Sequence, residues 1–374
     1  MTSTGVPREI VYVIASMITG GTQTHLLQLF RFLDRSRYRP HLFCLRDGGD
    51  LVGVARELDV PVRSFAMRGT LRDVRDTRGL ARMVSAMRAI GPAVAHSYLL
   101  RGNFYASIAA RLSGAGAVVT SKRGLHEPVG VSERLAVRVS NRLSDRILGN
   151  SPAVLDFTEA VEGVDRRRMV MIPSGVDTNR FRPAKDAAGL GEGPVIGAVT
   201  TFKPKKGLAM LLETVAKVRE TFPRVRLAVA GEERMDGEAA RLASSLGIID
   251  SITLLGRRRD MPKVLSTFDV FILPSESEGM SNALLEAMAM ELPSVATAVG
   301  GNTTVIEDGV SGVLVESGDS RSMADSVVAI LQDASLAARL GEAGRRRVVD
   351  VYSAASMAGQ MEELYDGLLE GAAR

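Results

Sequence analysis

Tryptophan is missing from this chain, cysteine occurs once and histidine four times in 374 residues. The lone Cys44 excludes an internal disulfide framework and a cysteine metal cluster. The histidines, His25, His41, His96 and His126, stand far apart without ligand-like intervals, so neither structural zinc nor a resident metal is expected. Aromatics make up only 5% and no nucleic-acid module is recognisable, so a nucleic-acid partner is not expected. A long unbroken apolar run is also lacking. The longest uncharged stretch, residues 10–30, is interrupted by TGGTQ and His25, and a spanning helix there would bury polar groups that lipid cannot satisfy. Strand, glycine loop and helix is the better reading of it. The opening residues show no charged start, apolar core and small-residue cleavage site, which makes the cytoplasm the expected compartment.

What is present suits a soluble protein of two domains: 45% hydrophobic residues, 24% charged, and a net charge of only +4. Arginine comes in triplets at 166–168, 257–259 and 345–347. Each triplet is either a solvated loop charge or a seat for phosphate or anionic lipid. Short β-branched runs alternate with amphipathic stretches, the pattern of parallel α/β units. The first series of strands is expected at 10–15, 41–45, 62–65, 93–96, 117–121, 146–148 and 170–172. A second is expected at 195–199, 226–230, 252–254, 270–273, 294–297 and 312–315. The glycine-, proline- and charge-rich text between 174 and 193 reads as an interdomain connection, and everything after Val315 reads as helix. The expected domains are 1–178 and 190–350, each a Rossmann-like doubly wound parallel sheet.

The stretch SESEGMSNALLEAMAME places Glu278 and Glu286 on either side of a helix start, with Ser281 or Asn282 as its cap. Ligands of open parallel sheets bind outside the strands' carboxyl ends, and a helix start offers free N–H groups to a diphosphate. Carboxylates repel phosphate, so hydroxyl-bearing sugar or ribose is their natural partner. Two such acceptors around a positive helix end describe a nucleotide-sugar pocket; the competing reading is a capped helix with ordinary solvated glutamates. Lys203, Lys205 and Lys206, in TTFKPKKGLAMLLE, again follow a strand and precede a helix, where an ammonium can meet the phosphates. Gly20-Gly21 lets the backbone approach a ligand closely, although the full dinucleotide glycine pattern is absent. Gly300-Gly301 is expected to clear space beside the same pocket.

PSESEGMSNALLEAMAMELPSVATAVGG, with FKPKKG, GNSPAV, IPSGVDTNRFRP and VIEDGVSGVLV, resembles the family-four retaining glycosyltransferases of the GT-B fold. The resemblance covers most of the chain and is strongest from about 145 to 345. It implies two Rossmann-like domains facing a central cleft and a last helix, about 352–374, crossing back onto the first domain. It also implies that Glu278 contacts the donor sugar, Glu286 the nucleotide ribose and Lys206 the diphosphate. Gly20, Gly21, Gly279, Met280, Ser281 and Asn282 complete the implied donor site. Two positions depart from the family. Thr201 stands where an arginine usually lies five residues before the motif lysine, leaving Lys203, Lys205 or Arg257 to compensate. Thr304 stands where a glutamate is common.

The family's amino-domain histidine has no clear counterpart. His126 in KRGLHEP is the favoured catalytic candidate, with Lys122 and Arg123 as alternatives, and His96 is placed by topology at the acceptor side. His25 reads as packing and His41 is assigned no role. Charge developing on the leaving diphosphate calls for lysine and helix N–H groups, and no metal or other cofactor is required. The resemblance implies that the departing phosphate oxygen takes the acceptor's proton on the same face. Finally, VSERLAVRVSNRLSDRI spaces four arginines four apart beside Val131, Leu135, Val139, Leu143 and Ile147. Either the apolar stripe packs inward, or the helix meets an anionic membrane near a lipid-linked acceptor. Rival readings are a nucleotide-sugar epimerase, which would turn over donor alone, and a nucleotide-sugar-binding protein with degenerate catalysis, which would not turn over at all.

Overall fold

The computed structural model describes residues 6–68, 74–183, 192–201, 204–231 and 237–372. They form two compact units: residues up to Gly175 together with Ala354 onward, and Val176–Ser353.

The first unit contains β1 (Arg8–Ile14), β2 (Tyr38–Cys44), β3 (Val62–Ser64), β4 (Val94–Tyr98), β5 (Ala117–Lys122), β6 (Arg146–Gly149) and β7 (Met169–Met171). Its helices are α1 (Gly21–Phe32), α2 (Val52–Glu57), α3 (Val74–Ile90), α4 (Leu99–Ser113), α5 (Gly130–Leu143) and α6 (Pro152–Glu162). The strands form one parallel sheet in the order β3-β2-β1-β4-β5-β6-β7. Order reverses between β1 and β4, which is where an open sheet of this kind leaves room for a ligand.

The second unit contains β8 (Val195–Val199), β9 (Arg226–Ala230), β10 (Ile252–Gly256), β11 (Val270–Leu273), β12 (Ser294–Thr297) and β13 (Val313–Val315), in the order β10-β9-β8-β11-β12-β13. Its helices are α7 (Leu208–Thr221), α8 (Gly237–Ser245), α9 (Met261–Leu265), α10 (Asn282–Ala289), α11 (Asn302–Val305), α12 (Ser320–Gln332) and α13 (Ala334–Val351). The reversal here lies between β8 and β11.

These strands form where the sequence carries continuous apolar runs, as burial of both sheet faces demands. Val270–Leu273 and Ser294–Thr297 are buried at every position. Each sheet has an apolar cluster on either side, and the last helix, α14 (Ala354–Ala372), belongs to the first unit. Its Met357, Met361 and Tyr365 join the cluster around Tyr12, Leu26 and Tyr38. Arg37 and Arg8 clamp its outer face through Glu362 and Asp366. Among the described residues, no helix is long and apolar enough to cross a membrane.

Candidate active site

The second unit's reversal point is flanked by the loops after β8 and β11, and both carry charged side chains of opposite sign. After β8 the chain passes Thr201 and a single tight turn, Pro204–Lys206, before α7. Gly207 caps that helix with φ +71°, and a Cβ there would lie 1.8 Å from the carbonyl oxygen of Pro274. Only glycine lets the two loops touch at this point. Glu276 N donates to Lys205 O at 3.2 Å, tying them again. Lys206 is thereby brought to Glu278: its Nζ lies 2.7 Å from Oε1, with the glutamate side chain 12% and the lysine 40% exposed. Buried Ser275 donates to the same oxygen at 2.8 Å, and its own carbonyl accepts from Thr297 Oγ1 at 2.6 Å. The carboxylate is therefore aimed by two donors on a loop fixed to the sheet.

Gly300 and Gly301 do something other than clear space. Cβ atoms there would lie 1.7 Å from Glu278 O and 2.0 Å from Gly279 O, so the pair lies flat against the Glu278–Gly279 backbone and holds it. Gly300 also has φ +51°, a conformation that favours glycine. The loop then enters α10. Ser281, not Asn282, is the cap, its Oγ accepting from Leu284 N at 3.3 Å; no acidic residue stands in the first turn, and Met280 is buried beside it. The start of α10 thus keeps a positive end close after Glu278.

Glu286 sits on the second turn of α10, partly buried. Burial pushes its carboxyl up to about 7, and the nearby Arg180 guanidinium acts in the opposite direction. Sequence reading missed Arg180. Asp177 accepts from the backbone N–H of Asn179 and Arg180, while the Arg180 guanidinium donates to Arg259 O and lies 5.2 Å from the centre of the Phe181 ring. The stretch IPSGVDTNRFRP was visible in the sequence, but only the fold reveals that its arginine comes near enough to influence the α10 carboxylate. Thr201 is half-buried, Arg257 stands exposed past β10 with no bond to Glu278, Lys206 or Glu286, and Lys203 lies outside the described residues.

In the first unit, Gly20 caps α1 with extended backbone and no side-chain cap. The loop before it is built by Thr19, which donates its N–H to Asp50 at 2.8 Å, and by Gln23, which donates to Ser16 O at 3.0 Å. Gly20 and Gly21 therefore form the start of α1 at the carboxyl end of β1. One turn on, His25 is fully buried, 5.7 Å from the Tyr98 ring, and its Nε2 lies 3.5 Å from half-buried Arg123. Burial first, then Arg123, holds His25 well below the usual imidazole range, so it is neutral. Arg123 donates to Ser174 at 2.8 Å, and burial lowers its guanidinium to about 10.

Two acceptor-side expectations need correction. His96 is completely buried: Nδ1 pairs with Tyr365 Oη and Nε2 with Ser121 Oγ, each at 2.7 Å, and burial lowers it to about 3. With both nitrogens bonded, it locks α14 onto the sheet and has no atom left for an acceptor. Lys122 turns beneath α6 to Glu162 at 2.7 Å, both nearly buried, with Asn141 donating to the same oxygen at 2.8 Å. It is a structural ion pair. His126, by contrast, is 59% exposed, and its ring lies 3.3 Å from Glu133. His41 pairs with Glu9 at 2.6 Å.

Comparison with known proteins bears on the family and the fold. Residues 19–180 match the profile "Glycosyltransferase Family 4" and residues 193–333 match "Glycosyl transferases group 1". The GDP-mannose-dependent alpha-(1-6)-phosphatidylinositol monomannoside mannosyltransferase of Mycolicibacterium smegmatis is 30% identical over 70% of this chain and 73% of its own length. The chain belongs to the family-four glycosyltransferases. An Escherichia coli relative, the UDP-Gal:alpha-D-GlcNAc-diphosphoundecaprenol alpha-1,3-galactosyltransferase, is 25% identical over 98% of both chains. In fold, this glycosyltransferase is similar to Anabaena HepE in complex with UDP and glucose, with a TM-score of 0.85, 19% identity and coverage of 96% and 99%. Sucrose-phosphate synthase from Thermosynechococcus elongatus gives 0.81 at 20% identity, covering 97% and 100%. The fold is GT-B.

Proposed function

We propose that this glycosyltransferase moves a hexose from a nucleotide-diphosphate sugar to a carbohydrate, lipid-linked or small-molecule acceptor, with retention of configuration and without a metal ion. The observation that carries the reading is the Lys206–Glu278 pair at 2.7 Å, placed at the second unit's reversal point just before the uncapped-by-charge start of α10. In this reading Lys206 leaves the carboxylate for the donor's β-phosphate, and Glu278, still held by Ser275, accepts from sugar hydroxyls. The α10 N–H groups and Lys206 face the charge that grows as the glycosidic bond breaks, each worth about 2–4 kcal/mol in the transition state. Glu286, opposed by Arg180, takes the ribose hydroxyls. Gly279, Met280, Ser281 and Asn282 supply backbone contacts; Thr201, Arg257, Gly20 and Gly21 are secondary donor contacts, and Lys203 remains a proposal from sequence alone.

Metal independence rests in this proposal on these fixed positive groups, which would meet the charge that a metal ion otherwise meets. For the first unit we propose His126 near the sugar and Arg123, oriented by His25 and Ser174, toward the acceptor. The relatives' names support the breadth of the acceptor class, since one includes a phosphatidylinositol monomannoside and another a diphosphoundecaprenol. The test is incubation with UDP-, GDP- and ADP-sugars and mixed acceptors in the presence of chelator, with the product's anomeric configuration read by NMR. Retained configuration is expected. An inverted product, or activity restored only by added metal, refutes the proposal, and epimerised sugar without any acceptor would favour the epimerase.

A further inference from the structure

We propose that Arg123, with His25 and Ser174 beside it, receives a single negative charge carried by the acceptor, so that this glycosyltransferase prefers a monoanionic acceptor, a uronate or a phosphodiester, to a neutral one. That the occupant is an acceptor rests on the transfer reading; its charge is read from the groups around Arg123. This residue directly follows β5, at the carboxyl end of the sheet, and is half-buried. Tyr98, which ends β4, and His25, on α1, are fully buried, and their rings lie 5.7 Å apart. Ser174, in the chain that follows β7, is fully buried too. Arg123 donates to Ser174 Oγ at 2.8 Å and meets His25 Nε2 at 3.5 Å. A guanidinium can only donate, so Nε2 is the acceptor and the proton of the neutral ring sits on Nδ1. That N–H is buried and has no hydrogen-bond partner among the described residues.

Among the described residues, this guanidinium has no counter-charge. Lys122, one residue earlier, is paired with Glu162, and Arg111 with Asp145. Other arginines that brace this unit end on carbonyl oxygens, Arg35 on Phe30 and Leu58, and Arg168 on Asn141 and Ser144. The partners of Arg123 are instead a neutral hydroxyl and a neutral imidazole. After burial, its charge is the next cause that holds both His25 and His96 below the usual imidazole range, which leaves one uncompensated positive charge among neutral groups. Taking a charge out of water unpaired is costly, and such groups gather where a ligand completes them. The guanidinium has more N–H donors than these two bonds use, and part of it meets solvent. One positive charge matches one negative charge: a carboxylate or a phosphodiester can take the fork bidentately, whereas the second charge of a phosphomonoester would find no partner.

The experiment titrates the whole protein with methyl glucuronoside, dimethyl phosphate and neutral methyl glucoside at constant ionic strength, with binding read as a rise in melting temperature. The wild type should bind at least one of the two monoanions about tenfold or more tightly than the glucoside, and the tighter one names the acceptor's charged group. Arg123→Met should lose that preference, and Arg123→Lys, which keeps the charge without the fork, should recover part of it. Without any probe, Arg123→Met should melt at the wild-type temperature or above it, because an unpaired charge has gone. Its affinity for UDP, GDP and ADP should fall less than its affinity for the monoanion. No preference for either monoanion, or a preference that Arg123→Met retains, would overturn the proposal. So would a lower melting temperature of probe-free Arg123→Met, the mark of a structural brace, or an equal loss of nucleotide affinity, which would give the cation to the donor's diphosphate. None of these titrations requires turnover, so failure here and failure of the transfer assay are read separately.

Discussion

Replacing Glu286 by glutamine should stabilise the second unit at alkaline pH and leave it nearly unchanged in acid. Burial raises this carboxyl from the ordinary 4.5 to about 7. A raised carboxyl means that the folded state holds the proton more tightly than the unfolded chain. The stability this confers is fully present below 4.5 and is lost as pH rises through about 7. The interval of 2.5, at about 1.36 kcal/mol per pH unit, comes to about 3 kcal/mol. That figure is an upper bound, because part of the side chain still meets water. Glutamine keeps the shape and cannot ionise, so the gain at pH 8 should approach about 3 kcal/mol, or roughly 6–12 °C for a unit of this size. The assay is thermal unfolding between pH 4 and 8, following the second unit's own transition, since a chain of two units need not melt in one step. Arg180→Ala should act in the reverse direction at pH 8, by removing the nearby cation that favours the ionised form. Parallel pH curves for the wild type and Glu286→Gln would refute the buried placement.

Lys122→Ala strands the nearly buried Glu162 and should cost about 3 kcal/mol or more in urea unfolding; a change near zero would show the pair to be idle. Gly301→Ala drives a Cβ to 2.0 Å from Gly279 O, so it should cost about 1–3 kcal/mol and weaken nucleotide binding by displacing Glu278. Unaltered binding would mean that the glycine pair does not hold that loop. His126→Ala should lower turnover with no change in melting temperature, whereas Tyr365→Phe, which removes a partner of buried His96, should lower stability by about 1–3 kcal/mol. Full activity of His126→Ala would remove it from the proposed machinery.

Much of the fold could be read because both sheets are parallel and buried, so their strands stand out as apolar runs. Val195–Val199, Arg226–Ala230, Val270–Leu273 and Ser294–Thr297 fall where the sequence places them. β2 begins earlier than expected, at Tyr38, and so includes Pro40. β3 pairs only with Leu42–Cys44, so the strand is still an edge at Pro40 and tolerates proline there. The face of α5 was not legible: aliphatic spacing suggested an inward stripe, but the neighbouring helix lies too close for anything but small side chains. At the site, Lys206, Glu278 and Glu286 were visible because they follow strands and flank a helix start. His96 lies within β4 and Lys122 ends β5, and whether such a side chain turns toward the core depends on partners, Tyr365 and Glu162, far away in sequence. Arg180 was hidden for the same reason.

The account rests on a diphosphate seat made by Lys206 and the start of α10. Titration calorimetry of UDP, GDP and ADP, with chelator present, into the wild type and into Lys206→Ala tests it most directly. The account predicts that at least one nucleotide binds the wild type without metal and binds Lys206→Ala roughly tenfold or more weakly, the loss of about 1.4 kcal/mol or more. Equal affinity of the two proteins would contradict it.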